Sequence, residues 1–194
     1  MPQKIDYYLT PTSPWSYLGH ARFAGIATRH GATVSVKPVD YGVIFPQSGG
    51  LPLGKRAPQR QAYRLMELAR WRDFLGVPLI LQPKFFPVDP ISAACIICAA
   101  PQGRQMAIAE DFLRAVWAEE RNVADIAVLT EIASRHGITD ASGAIVQGKA
   151  IFERNTQEAL ARQVFGAPTY ALRDELFWGQ DRLDFLDRAL AKWH

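Results

Sequence analysis
An α/β fold in which helices interrupt one small mixed sheet is predicted by three features of the sequence. The chain opens with a β-α-β pattern, closes with a β-β-α pattern, and between them reads as helix almost throughout. Two terminal patterns that are each too small to bury a sheet face must share one sheet. At 194 residues with 48% hydrophobic content, the chain is near the usual size of one domain with an insertion. The predicted division places 1–57 and 160–194 in the sheet-bearing domain and 58–159 in an all-helical insertion domain.

Each element follows from local pattern. Lys4 to Leu9 is a run of aromatic and branched residues followed by the breakers Thr10 to Ser13, which reads strand then turn. Ser13 before Pro14 is a helix start, because the hydroxyl accepts an orphan amide proton while Pro sits at the first helical position without losing a needed donor. That helix runs to about His30 and stops at Gly31. Thr33 to Asp40 alternates as a second strand. Tyr41 to Ala57, rich in Gly and Pro, reads as a loop, and Pro58 to Leu75 regains helical periodicity. Helices are expected at Ile91–Ala100, Gln102–Glu120, Asp125–His136 and Glu153–Phe165. Thr169–Leu172 and Glu175–Trp178 read as strands around the turn Arg173-Asp174, and a last amphipathic helix spans Gln180 to Trp193.

Composition narrows the function. A net charge of +3 with 21% charged residues, Lys and Arg scattered among Asp and Glu, gives no basic track, so nucleic-acid binding is not expected. No stretch approaches the roughly 18 consecutive apolar residues of a membrane span, and Met1 to Asp6 carries no export signal. Two cysteines are too few for a disulfide scaffold, which suits a reducing compartment and predicts a cytoplasmic protein.

Three segments can carry chemistry. Ser13 at a helix N-terminus would meet an anion with both a hydroxyl and the dipole's positive end. A charge-assisted hydrogen bond of roughly 1.5 to 3 kcal/mol would lower a bound thiol's pKa by about one or two units. On this segment alone a plain N-cap is the commoner role for such a serine. Gly166-Ala167-Pro168-Thr169 puts a proline just ahead of an apolar strand, where an extended peptide can pair or where the proline merely starts the strand. Asp181, in the first turn of the last helix, either caps it or accepts a ligand's ammonium group. Cys95 and Cys98 have redox spacing but lie in an apolar helical run, so they read as buried structural cysteines. His20, His30, His136 and His194 share no ligand spacing, and no metal site is expected.

Taken together, Ser13-Pro14-Trp15-Ser16-Tyr17-Leu18-Gly19, Arg70-Trp71, Val116-Trp117-Ala118-Glu119, Phe165-Gly166-Ala167-Pro168-Thr169 and Trp178-Gly179-Gln180-Asp181-Arg182-Leu183 resemble the 2-hydroxychromene-2-carboxylate isomerase family over the whole chain. That family is related to kappa-class glutathione transferases and DsbA-like oxidoreductases. The resemblance implies a thioredoxin-like fold (β-α-β plus β-β-α) with a helical insertion, glutathione as cofactor, a small aromatic substrate and a homodimer. Ser13 stands where the oxidoreductases carry the first cysteine of Cys-x-x-Cys, and Ser16 where they carry the second, so dithiol exchange at that turn is excluded. By resemblance Ser13 is catalytic and holds the glutathione sulfur as a thiolate, beside Trp15. Ala167 pairs its backbone with the tripeptide, Pro168 is cis, Gln180 and Asp181 hold the γ-glutamyl end, and Arg60 meets the glycine carboxylate. The implied reaction converts 2-hydroxychromene-2-carboxylate to trans-o-hydroxybenzylidenepyruvate, or an analogue, by reversible thiolate addition. A kappa-like transferase and a non-catalytic glutathione-binding module are the competing activities. Phe85, Phe86 and Trp117 either line an apolar pocket for the aromatic compound or fill the helical core.

Overall fold
The computed structural model describes residues 2–192. Strands β1 (Lys4–Leu9), β2 (Thr33–Pro38), β3 (Thr169–Leu172) and β4 (Glu175–Trp178) form one mixed sheet in the order β2-β1-β3-β4. β1 pairs parallel with β2, from Lys4 opposite Thr33 to Leu9 opposite Pro38, across the helix α1 (Pro14–Arg29). β3 pairs antiparallel with both β1 and β4. Both ends of the chain thus build the same sheet, as the sequence predicts. β1 is central and buried from Ile5 to Leu9 on both faces, which is why it reads as a continuous apolar and aromatic run instead of an alternation.

The segment Tyr41–Ala57, expected as a loop, instead contains α2 (Tyr41–Ser48) and a 3-10 turn at Leu53–Lys55. Asp40 caps α2, its carboxylate accepting from the Gly42 amide at 2.7 Å, and Gly49 ends it in the left-handed region at φ 72°. Capping and burial outweigh the poor propensity of Pro46 and Gly42. Tyr41 and Ile44 are buried against Tyr8, Val39 and Val164.

The remaining helices are α3 (Pro58–Leu75), α4 (Ile91–Ala99), α5 (Gln105–Trp117), α6 (Ile126–Arg135), α7 (Ala141–Ala161) and α8 (Leu183–Lys192). α7 departs from expectation at both ends. It begins at Ala141, capped by Asp140, whose carboxylate accepts from the Gly143 amide at 2.8 Å. Gly143 and Gly148 lower helical propensity and hide this first half. A Cβ at Gly148 would overlap the Cys95 carbonyl oxygen, so glycine there lets α7 lie directly on α4. The helix stops at Ala161 and Gln163 turns the chain at φ 59°, leaving Phe165 outside it. The final helix starts as a 3-10 turn, Gln180–Arg182, before α8; Trp193 and His194 fall outside the described residues.

One interior joins sheet and helices. Ile5, Tyr7 and Leu9 of β1 and Phe23 of α1 belong to the same buried cluster as Ile96, Phe112 and Trp117. α4 is apolar all round and buried from Ala93 to Cys98, as befits a helix packed on several sides. Among the described residues no helix is long and apolar enough to cross a membrane.

Candidate active site
The sheet topology fixes where chemistry can gather. β1 and β4 end, and β3 begins, along the same edge, because Tyr8 lies opposite Thr169 and Thr169 opposite Trp178. The turn to Ser13, the bond before Pro168 and the turn at Gly179 therefore emerge side by side.

At the first of these turns the Ser13 amide donates to the Thr10 carbonyl at 3.0 Å. Ser13 has extended backbone (φ −80°, ψ 122°) and its Oγ accepts from the Ser16 amide at 3.1 Å, capping α1 with Pro14 next in line. A hydroxyl has two lone pairs and one proton, so the cap leaves the O–H free to donate. Capping and ligand holding are thus compatible at Ser13. No acidic residue stands in the first turn of α1, so nothing offsets the positive end of its dipole. Trp15 is half-buried and packs against the core.

Behind this turn the Ser16 hydroxyl is buried beside the Tyr7 side chain. Deeper still, the Tyr7 hydroxyl meets His20 Nδ1 at 3.2 Å, and His20 Nε2 lies 3.0 Å from the Met106 carbonyl. A carbonyl only accepts, so Nε2 carries the proton and the Tyr7 O–H donates to Nδ1. Burial pushes the His20 pKa down to about 4 despite the help of the Met106 carbonyl, and the ring is neutral near neutrality.

The Ala167–Pro168 peptide is cis. The Gly166 carbonyl accepts from the Tyr41 hydroxyl and from Thr169 Oγ1, each at 2.7 Å, and the Gly179 amide donates to the Pro168 carbonyl at 2.8 Å. Both neighbours of Ala167 are therefore fixed. Half-buried between them, Ala167 has neither its N–H nor its C=O paired among the described residues, which leaves a donor and an acceptor for an extended partner.

Gln180 is buried, its carboxamide oxygen accepting from Arg22 Nη1 at 3.1 Å. Its amide nitrogen makes no hydrogen bond among the described residues and is the group left to donate. Asp181 is exposed and paired with Arg182 at 2.8 Å. A Cβ at Gly19 would come within 2.7 Å of Gln180 Cβ and 2.9 Å of the Tyr170 hydroxyl, so only glycine lets α1 lie against this turn. The structure thus brings Ser13, Ala167, Pro168, Gln180 and Asp181 to one sheet edge. Arg60 stands apart, exposed in the first turn of α3 and without an ion pair among the described residues.

Sequence reasoning passed over two residues. Tyr41 was hidden in the supposed loop, though Asp40 ahead of an apolar stretch is a capping signal. Arg64 follows Arg60 by one turn on α3, but nothing in the sequence marks it as lacking an acid. Its half-buried guanidinium lies over the rings of Phe86 (5.3 Å) and Trp117 (5.6 Å). Burial and the nearby Arg56 push its pKa down to about 10, so it stays charged at neutral pH. The three expected aromatics divide: Trp117 fills the core, Phe85 is at the surface beneath Lys84, and Phe86 lines a pocket of about 310 Å³. The Phe86–Pro87 peptide in that wall is also cis, which the sequence did not announce.

Cys95 and Cys98 are buried and unbridged, and burial pushes the Cys98 thiol up to about 12. Among the described residues no group of His, Cys, Asp and Glu is placed to hold a metal ion.

The family described as the DSBA-like thioredoxin domain matches residues 4–191. A 2-hydroxychromene-2-carboxylate isomerase of Sphingobium xenophagum is 30% identical, covering 98% of this chain and 99% of the relative. The chain belongs to the 2-hydroxychromene-2-carboxylate isomerase family of DSBA-like thioredoxin domains. Within this family context, a glutathione S-transferase kappa 2 of Caenorhabditis elegans is 28% identical over 96% of this chain and 93% of the relative. A solved 2-hydroxychromene-2-carboxylate isomerase superposes with a TM-score of 0.84 at 24% identity, over 97% of this chain and 95% of that one. The thioredoxin-like fold with inserted helices follows directly.

Proposed function
We propose that this chain is a glutathione-dependent isomerase acting on an unsaturated aromatic compound, 2-hydroxychromene-2-carboxylate to trans-o-hydroxybenzylidenepyruvate or an analogue. The observation that carries the reading is the pairing, on one sheet edge, of a Ser13 hydroxyl whose proton is free with an Ala167 backbone whose donor and acceptor are unmatched. Both are groups that a thiol-bearing tripeptide satisfies. The kappa-class relative supports glutathione as that tripeptide.

When bound, glutathione would supply the sulfur nucleophile that adds to the conjugated double bond and departs unchanged. The protein's own part is electrostatic and positional. Ser13 donates its hydroxyl proton as a hydrogen bond toward the sulfur position, and the N-terminus of α1 favours negative charge there. Lowering the thiol pKa enriches the nucleophile and makes the same group a better leaving group. Ala167 would hold the peptide extended, the Gln180 amide nitrogen and the Asp181 carboxylate would take its amino-terminal end, and Trp15 would border the sulfur. Two buried thiols and no disulfide support a cytoplasmic setting, and a homodimer is the assembly the family resemblance implies.

The deciding measurement is turnover of 2-hydroxychromene-2-carboxylate with reduced glutathione while free thiol is followed. Isomerisation with thiol fully returned is the expected result. Steady loss of thiol would make the protein a transferase, and binding without either outcome would make it a non-catalytic module. Absence of glutathione binding would overturn the reading.

A further inference from the structure
We propose that Arg64 takes the carboxylate of the aromatic substrate, and that the pocket beside it selects planar aromatic anions over neutral aromatics. The place of this step in a reaction rests on the isomerase reading; the binding preference itself does not.

Other half-buried arginines meet acids: Arg22 meets Asp184, Arg121 meets Glu131, and Arg162 meets Asp6. Arg56 and Arg64 meet none among the described residues, and Arg56 is tied to the Leu51 carbonyl at 2.8 Å. The Arg64 guanidinium has five N–H donors and no protein acceptor among the described residues. Withdrawing a cation from water without a counter-charge is costly, and such a group persists where a ligand completes it. The rings of Phe86 and Trp117 explain how the charge is tolerated meanwhile, since aromatic faces attract a guanidinium. The N–H groups make no hydrogen bond among the described residues, and a guanidinium fork matches the two oxygens of a carboxylate.

Placement comes next. The Trp117 indole N–H donates to the Thr12 carbonyl at 3.2 Å, so the platform under Arg64 is joined to the residue preceding Ser13. The segment leading to Leu81 is tied to the same platform: the Tyr17 hydroxyl donates to the Pro78 carbonyl, and the Ile80 amide to the Trp117 carbonyl, both at 2.7 Å. The pocket is lined by Leu53, Leu65, Leu81, Phe86 and Pro87 beside Arg64. A mostly apolar pocket of about 310 Å³, in which Arg64 is the one charged lining residue and Gln61 and Gln82 are the polar ones, is complementary to a flat ring bearing a carboxylate. Arg56 adds positive potential, being near enough to depress the Arg64 pKa.

The test is calorimetric binding of 1-naphthoate and of its neutral isostere 1-naphthamide to the full chain. The wild type should prefer naphthoate by about tenfold or more. Arg64→Gln should abolish that preference while naphthamide and glutathione affinities stay within about twofold, and Arg64→Lys, keeping the charge but not the fork, should restore part of it. Equal binding of the two naphthalenes by the wild type, or a preference that survives Arg64→Gln, would overturn the proposal. So would a roughly tenfold loss of glutathione affinity in Arg64→Gln with the naphthoate preference intact, because Arg64 would then serve the tripeptide. If chromene isomerisation fails in the wild type while the naphthoate preference holds, the functional reading falls and the assignment of Arg64 stands.

Discussion
The indole nitrogen of Trp117 and the carbonyl oxygen of Thr12, 3.2 Å apart, tie the end of α5 to the turn that presents Ser13. Trp117 is fully buried, so this hydrogen bond is shielded from water and its loss is not made good by solvent. Trp117→Phe keeps most of the apolar volume but strands the Thr12 carbonyl. A loss of about 1–3 kcal/mol in unfolding free energy is expected, with weaker glutathione binding as the turn loosens. Denaturant unfolding and calorimetry check both parts.

Ser13 caps α1 and is proposed to hold the thiolate, and two substitutions separate these roles. Ser13→Ala should cost about 1 kcal/mol of stability through the lost cap, whereas Ser13→Gly should cost only a few tenths. Both remove the hydroxyl donor, so both should raise the pKa of bound thiol by about one or two units and cut turnover by about tenfold to a hundredfold. Ultraviolet titration of the thiolate band and steady-state rates are the readouts. Full activity in Ser13→Gly would remove the hydroxyl from the mechanism.

His20 makes stability depend on acid. Its pKa is held down to about 4 in the folded protein, by burial first, against an ordinary 6.5. Between these values the unfolded chain binds a proton that the folded one refuses, so stability falls as pH drops through that window and is unaffected above it. The contribution is on the order of 3 kcal/mol. In His20→Gln the slope of unfolding free energy against pH between 6.5 and 4 should flatten by that amount relative to wild type.

Gly148→Ala should be among the most damaging small substitutions. The new methyl group would overlap the Cys95 carbonyl oxygen, and backbone cannot give way as a side chain does. A loss of about 3 kcal/mol is expected from overpacking where α4 and α7 touch, measured by thermal or urea unfolding.

The cysteines should be chemically silent. With Cys98 pushed up to about 12 and both thiols buried, neither should react with a disulfide reagent in the native protein, while two should react after denaturation. Cys95→Ala with Cys98→Ala should leave turnover intact. Rapid native labelling or lost activity would place redox chemistry on α4.

What the sequence made legible follows a physical division. Strands and helices whose burial is set by local pattern, such as β1 and α3, agree with the residues the periodicity marks. α2 and the first half of α7 did not, because Asp40 and Asp140 caps and tertiary burial overrode the Gly and Pro that local propensity penalises. At the site, Ser13 was readable since a helix start announces itself, and the cis bond at Pro168 agrees with what the family resemblance implies. Arg64 was not, because nothing along one chain says that a cation lacks an acid. That fact exists only once Phe86 and Trp117 have been brought beneath it.

Because β1 lies between β2 and a strand formed by residues 169–172, a ribosome must synthesise the chain through that strand before the sheet can close. Until then one side of β1 offers its backbone groups to any passing strand. A nascent chain released short of Thr169 would still carry Ser13, but neither Ala167 fixed in place nor the turn at Gly179. Premature termination therefore yields a sticky fragment without an assembled ligand cradle.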